Sequence, residues 1–313
     1  MTTYRWLVLC LCFTSVVHAQ QLSLFTQYRE NATIINPAAM ESDFIAYGQR
    51  MTVGASYRSQ WNDISGNPTT QALRFSFVGD NSGASLMGGG YIMNDQTGPT
   101  GFTGAYGRIG AVISGDPEYS GLVVALSAGI VQFRVDGNEI RLRESGDVFG
   151  LTSQTALFPD IGAGLYFYQM LKSDDMFYAG LSVPQVAGIN LMFRNDVGEF
   201  DIQRIQHYYG TLGLYHFFRN DGFIEPSVWI KYVNGANLNA DFNIRYQTSS
   251  AIWLGVGGST ARNFHFEAGF NLGENMGLYN NIKIAYGYDY SYSTFGPGAG
   301  DTHEIQVSYS FDN

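Results

Sequence analysis

The chain has 313 residues and a formal net charge of −10, and only 14% of its residues are charged, against roughly 25% in soluble globular proteins. The acidic balance argues against a nucleic-acid partner, and the mean hydropathy of −0.08 argues against a bundle of membrane helices. Beyond the N-terminus there is no run of about 18 apolar residues, so no transmembrane helix is predicted. Few charges combined with 38 Gly, 21 Tyr and 22 Phe favour a transmembrane β-barrel.

The N-terminus is typical of a secretory signal peptide over residues 1–19. Arg5 precedes an apolar run, and the small residue Ala19 fits cleavage before Gln20. The alternative is an uncleaved anchor, which the shortness of the run disfavours. Both cysteines of the chain lie inside this segment, at Cys10 and Cys12. The mature chain is therefore predicted to have no disulfide and no thiolate site, and we expect it in a bacterial envelope.

Period-two alternation of apolar and polar residues dominates the rest of the chain and indicates strands. The C-terminal stretch shows it well, with apolar Ile305, Val307, Tyr309 and Phe311 between polar Glu304, Gln306, Ser308 and Ser310. About fourteen strands are predicted, near residues 46–58, 69–78, 84–94, 102–113, 121–133, 159–169, 176–183, 207–217, 223–233, 240–248, 251–258, 264–272, 281–290 and 303–311. Many have the length that a tilted strand needs to cross a bilayer. We therefore predict an all-β fold, a transmembrane antiparallel β-barrel; a soluble β-sandwich is the alternative.

The lengths of the connections predict the orientation of the barrel. Most odd-numbered hairpins are long, among them residues 94–101, 134–158 and 184–206, whereas most even-numbered ones are short. Long loops of outer-membrane barrels face outward, so both termini are predicted to be periplasmic. The hairpins at 259–263 and 273–280 break this pattern.

We expect three parts in the chain: a signal peptide at 1–19, an N-terminal segment at 20–45 and a barrel at 46–313. The N-terminal segment contains Phe25 and Tyr28, which are spaced for one amphipathic turn. It is interpreted either as a plug or periplasmic docking element, or as a flexible lead-in to the barrel.

Several short stretches, spread in order along the mature chain, resemble the PorP/SprF family. This is a family of outer-membrane proteins of the type IX secretion and gliding apparatus of Bacteroidota. The residues that carry the resemblance are Phe25, Gln27, Tyr28, Asn36, Pro37, Tyr57, Arg58, Gln60, Trp61, Asn94, Asp95, Pro159, Asp160, Tyr288, His303 and Glu304. The resemblance implies an outer-membrane barrel without enzymatic activity or cofactor, needed for export or surface attachment of cargo proteins such as adhesins. It also implies contacts with periplasmic ring components (PorK/PorN-like) and a peptidoglycan-linked protein.

The two longest predicted loops match no stretch of the family, and we expect them to contact protein partners. Loops of this length are usually functional or disordered. The candidate partner-binding residues are Arg141 and Arg143 in one loop, Leu191, Met192 and Phe193 in the other, and Trp61 at the outer rim. The alternative function is that of an outer-membrane porin or hydrophobic-solute transport channel.

One face of the predicted strands carries charges of both signs. They are Arg58, Arg74, Glu225, Lys231, Arg245, Glu267, Lys283, Asp289 and Glu304. We interpret them as a structural ladder inside a filled barrel, with lateral pairing among Glu267, Lys283 and Glu304; a selectivity filter is the alternative. Trp229, Tyr166 and Tyr168 are predicted to point inward and occlude the lumen, while Ile282, Ile284, Tyr286 and Tyr288 face lipid.

No constellation for catalysis or metal binding is evident. The four histidines of the mature chain, His207, His216, His265 and His303, lack the spacing of a metal site. The Gly-rich stretches at 88–90 and 255–258 lie inside predicted strands and lack the helix and lysine of a phosphate loop.

Overall fold

The structure, a computed structural model, describes residues 25–79, 81, 83–137, 153–186, 190–195, 198–203, 205–220, 222–273, 276–293 and 297–312. Fourteen antiparallel strands close into one barrel, and two further strands form a separate hairpin. The barrel strands are β1 Met51–Ser59, β2 Thr69–Val78, β3 Gly83–Thr97, β4 Thr100–Ser114, β5 Ser120–Val135, β6 Gln154–Met170, β7 Met176–Val183, β10 His207–Phe217, β11 Phe223–Val233, β12 Asn239–Gln247, β13 Ile252–Ser259, β14 Asn263–Leu272, β15 Asn281–Ser291 and β16 Thr302–Phe311. The hairpin strands are β8 Asn190–Asn195 and β9 Gly198–Gln203.

The strand order confirms the predicted fourteen-stranded antiparallel barrel. Each barrel strand pairs with its neighbours in sequence, except that β7 pairs with β10 across the β8–β9 hairpin. The barrel closes where β1 pairs with β16, in a register that places Met51 opposite Phe311. Closure leaves no free edge along these two strands, which is how a sheet satisfies its backbone groups in a bilayer.

Several of the predicted boundaries are wrong. β6 begins at Gln154 rather than at 159, and the predicted loop 184–206 contains β8 and β9. The first strand was expected from residue 46, but Ser42–Tyr47 forms a helix that ends at Gly48, whose φ of 74° is left-handed. Residues 94–101 were expected to be a loop, but pairing continues to Thr97 opposite Thr100. The alternation of apolar and polar residues does not reveal the short helix or the tight turn, because each interrupts the alternation for only a few residues.

The longest connections of the barrel lie at one end, and every connection at the other end has eight residues or fewer. We call the first the loop end; its connections are residues 60–68, 98–99, 136–153, 184–206, 234–238, 260–262 and 292–301. We call the second the turn end; its connections are residues 79–82, 115–119, 171–175, 218–222, 248–251 and 273–280. β1 begins and β16 ends at the turn end.

The two faces of the strands are as predicted. In β15, Ile284 is 45% exposed on the outer face, whereas Lys283 is 2% exposed on the inner face. All nine charged residues assigned to the inner face are buried, and so are Trp229, Tyr166 and Tyr168. The outer face is apolar, as a lipid-facing surface requires.

Residues 25–48 lie inside the barrel, and we call them the inner segment. They contain two short helices, α1 Ala32–Ile35 and α2 Ser42–Tyr47, and nearly every residue from Phe25 to Ile45 is buried. Among the described residues, no helix is long and apolar enough to cross a membrane.

The inner segment runs along the lumen from the loop end to the turn end. Thr26 contacts Glu304 near the loop end, and Asp43 contacts Ser310 near the turn end. The described chain therefore starts near the loop end, whereas its last strand finishes at the turn end. The strands β1 and β16 begin and finish at the same end of the barrel, and the periplasmic location of both termini stays a prediction.

Substitution of a lipid-facing residue tests the assignment of the two faces. Ile284→Arg places a charge in the apolar outer band and should destabilise the barrel by about 2–4 kcal/mol, measured by urea unfolding in lipid vesicles. Ile284→Met keeps the face apolar and should cost less than about 1.5 kcal/mol. Equal stability of the two variants would contradict the facing.

Candidate functional site: the barrel interior and its loop end

Glu304 anchors the start of the inner segment to the barrel wall. Its carboxylate accepts hydrogen bonds from the backbone N–H groups of Thr26 (2.7 Å) and Gln27 (3.3 Å) and lies 3.2 Å from Nη1 of Arg58. Nη2 of Arg58 lies 2.6 Å from Asp289 Oδ2. Three residues of the family resemblance, Gln27, Arg58 and Glu304, are thereby brought together, although they are far apart in sequence.

The next two residues of the segment are held by charge. Arg29 lies 2.6 Å from Glu267 and 3.2 Å from Glu225. The carboxylate of Glu30 lies 2.7 Å from Arg245 and 3.1 Å from Lys283. All these side chains are at most 4% exposed, so each charge depends on its partner for compensation.

The predicted lateral pairing of Glu267, Lys283 and Glu304 is wrong. Glu267 lies opposite Gly287, and Lys283 lies opposite Asn271, so their side chains do not meet across the strands. The wall residues instead bond to the inner segment, and Glu304 also pairs with Arg58 on β1.

Asn36 occupies a notch made by two glycines of the wall. Its side-chain N–H donates to the carbonyl of Leu165 at 3.0 Å, and its own Oδ1 accepts from the N–H of Ala38 at 2.9 Å. A Cβ added at Gly164 would overlap Asn36 Oδ1, and one at Gly180 would lie 2.9 Å from its Nδ2. Asn36 and the glycines Gly164 on β6 and Gly180 on β7 thus form the two sides of one contact.

The second half of the segment bonds to the opposite side of the wall and to the turn end. Nη1 of Arg108 donates to the carbonyls of Pro37 (2.9 Å) and Ala39 (2.8 Å). Glu41 lies 3.4 Å from Nε of Arg74. Near the turn end, Asp43 lies 2.7 Å from Nζ of Lys283.

The charges around the inner segment keep the carboxyl group of Glu30 ionised. Burial by itself raises the pKa of the Glu30 carboxyl, but the charges of Lys283 and Arg245 outweigh it and hold the pKa well below its ordinary value. Burial raises the pKa of the Tyr47 hydroxyl to about 12, against the lowering effect of Lys283. The segment therefore enters its network with a charged carboxylate and a neutral phenol.

Backbone hydrogen bonds tie neighbouring loops together at the loop end. Asn62 N–H donates to the carbonyl of Asp301 at 3.2 Å, and Gly98 N–H donates to that of Gly66 at 2.9 Å. Asp136 N–H donates to the carbonyl of Pro99 at 2.7 Å. We call this chain of connections (residues 60–68, 98–99, 136 and 299–301) the loop belt. Since backbone groups form it, its shape does not depend on flexible side chains.

The other residues of the family resemblance have separate places. Trp61 begins the loop belt with a left-handed φ of 54°. Phe25 and Tyr28 are buried, and Tyr28 shares a hydrogen bond with Ser227. Five further residues form hydrogen bonds: Asn94 with Thr103, Asp95 with Thr70, Asp160 with Tyr106, His303 with Tyr286, and Gln60 N–H with the carbonyl of Pro68. Tyr57 and Tyr288 lie on the outer face of the barrel, and Pro159 belongs to β6.

The candidate partner-binding residues fall in two groups. Arg141 and Arg143 lie outside the described residues. Leu191, Met192 and Phe193 belong to β8, which pairs with β9 and is not hydrogen-bonded into the barrel sheet.

The role of the inner segment's charges in the barrel interior was not predicted from the sequence. They are Arg29, Glu30, Glu41 and Asp43 on the segment, with Arg108 on the wall. A signal was present, because four charges close together are conspicuous in a chain with so few, and Arg108 continues the inward positions of β4. Within the described residues, no group of three or more His, Cys, Asp or Glu is placed to hold a metal ion.

Removal of the Glu30 charge should destabilise the protein strongly. Glu30→Gln leaves Arg245 and Lys283 buried with a lost partner, which we expect to cost about 3–5 kcal/mol in urea unfolding at pH 7. Glu118→Gln is the control, because its pair with Arg50 is largely exposed, and it should cost less than about 1 kcal/mol.

The loss of stability caused by Glu30→Gln should become smaller as the pH falls. The folded-state pKa of Glu30 lies below the ordinary value of 4.5, so its stabilisation is present above pH 4.5 and diminishes as the pH falls below it. The gap between wild type and Glu30→Gln should therefore narrow on acidification, and a gap that widens would contradict the ion-pair assignment.

The notch for Asn36 can be tested with one methyl group. Gly164→Ala would push against Asn36 and should destabilise the protein by about 1–3 kcal/mol. Gly210→Ala is the matched control, since a Cβ there meets neighbours only at 3.7 Å. If both variants unfold at the same urea concentration, the notch does not position the segment.

Comparison with known proteins identifies a protein family and a set of structurally similar proteins. Residues 17–309 match the family model described as "Type IX secretion system membrane protein PorP/SprF". No curated protein sequence matches the chain.

Solved structures share the barrel fold at low identity. A TodX monoaromatic hydrocarbon channel with the deltaS2S3 mutation is 12% identical, with a TM-score of 0.50 over 90% of this chain and 94% of that chain. The TodX deltaS2 mutant is 11% identical, with a TM-score of 0.48 and the same coverage of both chains. A Pseudomonas aeruginosa FadL homologue is 9% identical, with a TM-score of 0.47 over 90% of this chain and 94% of that chain. The fold is that of outer-membrane barrels, and the chain belongs to the PorP/SprF family of type IX secretion system membrane proteins.

Proposed function

We propose that the protein is a non-enzymatic outer-membrane barrel that supports type IX export or surface attachment by recognising cargo proteins, such as adhesins, at its loop end. The observation that carries this proposal is the location of the family-like stretches. Gln60 and Trp61 lie in the loop belt, and Gln27, Arg58 and Glu304 lie just beneath it. This grouping of family-like residues at one end supports a recognition surface there.

The filled lumen supports recognition over conduction. Charged pairs of the inner segment and the buried side chains of Trp229, Tyr166 and Tyr168 occupy the space that a porin leaves to water. A cavity of about 30 Å³ lies between the segment and Tyr178 and Tyr215. That volume suits one or two water molecules. We expect an occluded resting state because the inner segment and the buried aromatic side chains fill the lumen.

The two ends of the barrel suit different partners. The loop end, with its belt and the β8–β9 hairpin, would face the cell exterior and hold exported cargo. The turn end would face the periplasm, where short turns and the C-terminus could meet PorK/PorN-like ring components and a peptidoglycan-linked protein. We expect the protein to reach the outer membrane by export, with its signal peptide cleaved before Gln20. In this function the barrel would serve secretion, gliding or both.

A hydrophobic-solute channel is the second candidate. The monoaromatic hydrocarbon channels among the structural neighbours suggest it, but at 12% identity they share the fold alone. Porin-like conductance of the purified wild-type protein in planar bilayers would favour this second candidate over the occluded barrel.

Removal of the β8–β9 hairpin tests the recognition proposal. Asn190–Gln203 should be replaced as a whole by a short Gly/Ser linker, because a cut at residues 188–198 would leave β9 without its partner strand. The barrel should fold unchanged, since its sheet hydrogen bonds do not involve the hairpin. Cargo should no longer co-purify from native outer membranes or appear on the cell surface.

A turn-end variant controls for general damage to the barrel. Replacement of residues 248–251 by Gly and Ser alters the opposite end and should leave cargo display at the wild-type level. If the hairpin variant displays cargo normally, recognition lies elsewhere in the loop end, and Trp61→Ala in the loop belt becomes the next test.

A further inference from the structure

The loop-end part of β6 has a strand neighbour on one side only within the described structure. Pairing with β5 continues as far as Gln154, whereas pairing with β7 ends at Ala163. Beyond that point, Val186 N–H donates to the carbonyl of Ile161 at 2.8 Å. The β8–β9 hairpin lies close to β6 but does not pair with it. Residues 154–160 are therefore paired with β5 alone among the described residues, and we call them the β6 edge.

The odd-numbered residues of the β6 edge direct their backbone groups away from β5. Ile161 accepts its hydrogen bond from Val186 on the side away from β5, and the backbone groups of successive residues in a strand alternate in direction. Thr155, Leu157 and Pro159 therefore face the same side as Ile161. On that side, none of their backbone groups is hydrogen-bonded to another described residue. The edge thus presents donors at Thr155 and Leu157 and acceptors at all three residues.

Two residues of the family resemblance close the part of the edge that lies nearest β7. Pro159 has no N–H to donate, and Asp160 Oδ1 accepts from the N–H of Ile161 at 3.0 Å. Proline on an edge hinders pairing with another chain. Two copies of the edge, paired antiparallel about Leu157, would meet the missing donor twice, whereas a different strand meets it once. The edge is therefore better suited to a strand of another protein than to a second copy of itself.

The level of these backbone groups on the barrel is polar. Leu157 lies opposite Gln132 on β5, and Gln132 lies opposite Thr103 on β4. Gln132 and Thr103 are exposed on the outer face, and the Thr103 hydroxyl donates to Asn94 at 2.8 Å. Since unpaired backbone groups are not tolerated in hydrocarbon, the edge belongs at this polar level beyond the lipid core. A partner in water can therefore reach it.

The side chains on the two faces of the edge define the chemistry of a strand that pairs there. On the inner face, Phe158 packs in an apolar cluster with Val131 and Phe133. On the outer face, Leu157 is 70% exposed and Thr155 is also exposed. Because neighbouring side chains on one face of a sheet contact each other, a matching strand has apolar residues inward and both apolar and polar residues outward.

We propose that the β6 edge binds an extended segment of the exported cargo, which adds to the barrel sheet as a further strand. This inference rests on the proposed recognition of cargo at the loop end and gives its mode. Main-chain hydrogen bonds provide the affinity, and alternate side chains provide the specificity. The segment has a period-two apolar pattern and carries no proline where it faces the donors and acceptors of the edge.

Removal of one edge donor in the full chain tests the proposal. Leu157→Pro removes the N–H that faces the partner but keeps the pairing with β5, as Pro159 does in the same strand. Cargo display, measured by biotinylation of intact cells, should fall about tenfold or more, because a carbonyl of the partner loses its donor and meets the proline ring. Leu157→Ala is the matched control, since it keeps the N–H and should retain most of the display. Heat-modifiable migration in gel electrophoresis checks that both barrels are folded.

The two variants give opposite results only if the backbone donor is used. An equal loss of display in both would assign the effect to the side chain and overturn strand addition, and so would normal display by folded Leu157→Pro. If Leu157→Pro does not fold, Thr155→Pro removes the other donor, with Thr155→Ala as its control. Loss of display by Thr155→Pro alone would support the proposal, and normal display would overturn it.

Amide hydrogen exchange reports directly on an added strand. In the purified protein alone, the amides of Thr155 and Leu157 should exchange faster than those of Ala156 and Phe158, which face β5. In the complex with cargo that co-purifies from native outer membranes, exchange at Thr155 and Leu157 should slow by about tenfold or more. Unchanged exchange in that complex would overturn the proposal. Wild-type dimers that Leu157→Pro dissociates would assign the edge to a second copy and would equally overturn it.

These outcomes separate strand addition from the recognition proposal. If folded Leu157→Pro displays cargo normally while the hairpin variant does not, recognition at the loop end stands and strand addition at the β6 edge is wrong. If neither variant loses display, both proposals are wrong.

Discussion

The structure depends on compensation of buried charge inside a barrel too wide for its own side chains to fill. Eight strands enclose a lumen that side chains can pack, whereas fourteen leave additional space. Here a segment of the same chain takes that space and supplies counter-charges to the wall, as Arg29 does for Glu267 and Glu30 does for Arg245. Because a buried charge without a partner is strongly destabilising, the segment and the wall stabilise one another.

The same constraint accounts for where small residues stand on the inner face. Gly164 and Gly180 make room for Asn36, and Gly287 lies beneath Thr26. A side chain at any of these positions would compete with the segment for space. The glycines of the wall are thus part of the binding surface for the segment, as is Arg108, which donates to two of its carbonyls.

The two ends of the barrel differ in construction, and this difference shapes the functional proposal. The loop end has long connections joined by backbone hydrogen bonds and lies next to the anchor at Glu304. The turn end has short connections and receives the end of the segment, where Asp43 meets Lys283 and Ser310. The segment therefore connects the two ends of the barrel.

The sequence by itself determined that fourteen strands form the barrel and which face of each strand points inward. Period-two alternation is a local property, so Lys283 and Ile284 could be assigned to opposite faces without knowledge of their neighbours. Family-like motifs were equally visible, although their spatial meeting was not. Only the tertiary structure decided which charges pair, because partners such as Arg29 and Glu267 are 238 residues apart and meet through barrel closure. It also decided that Ser42–Tyr47 is a helix buried inside the barrel and that β8 and β9 pair outside the barrel sheet, because alternation does not encode which segments join that sheet.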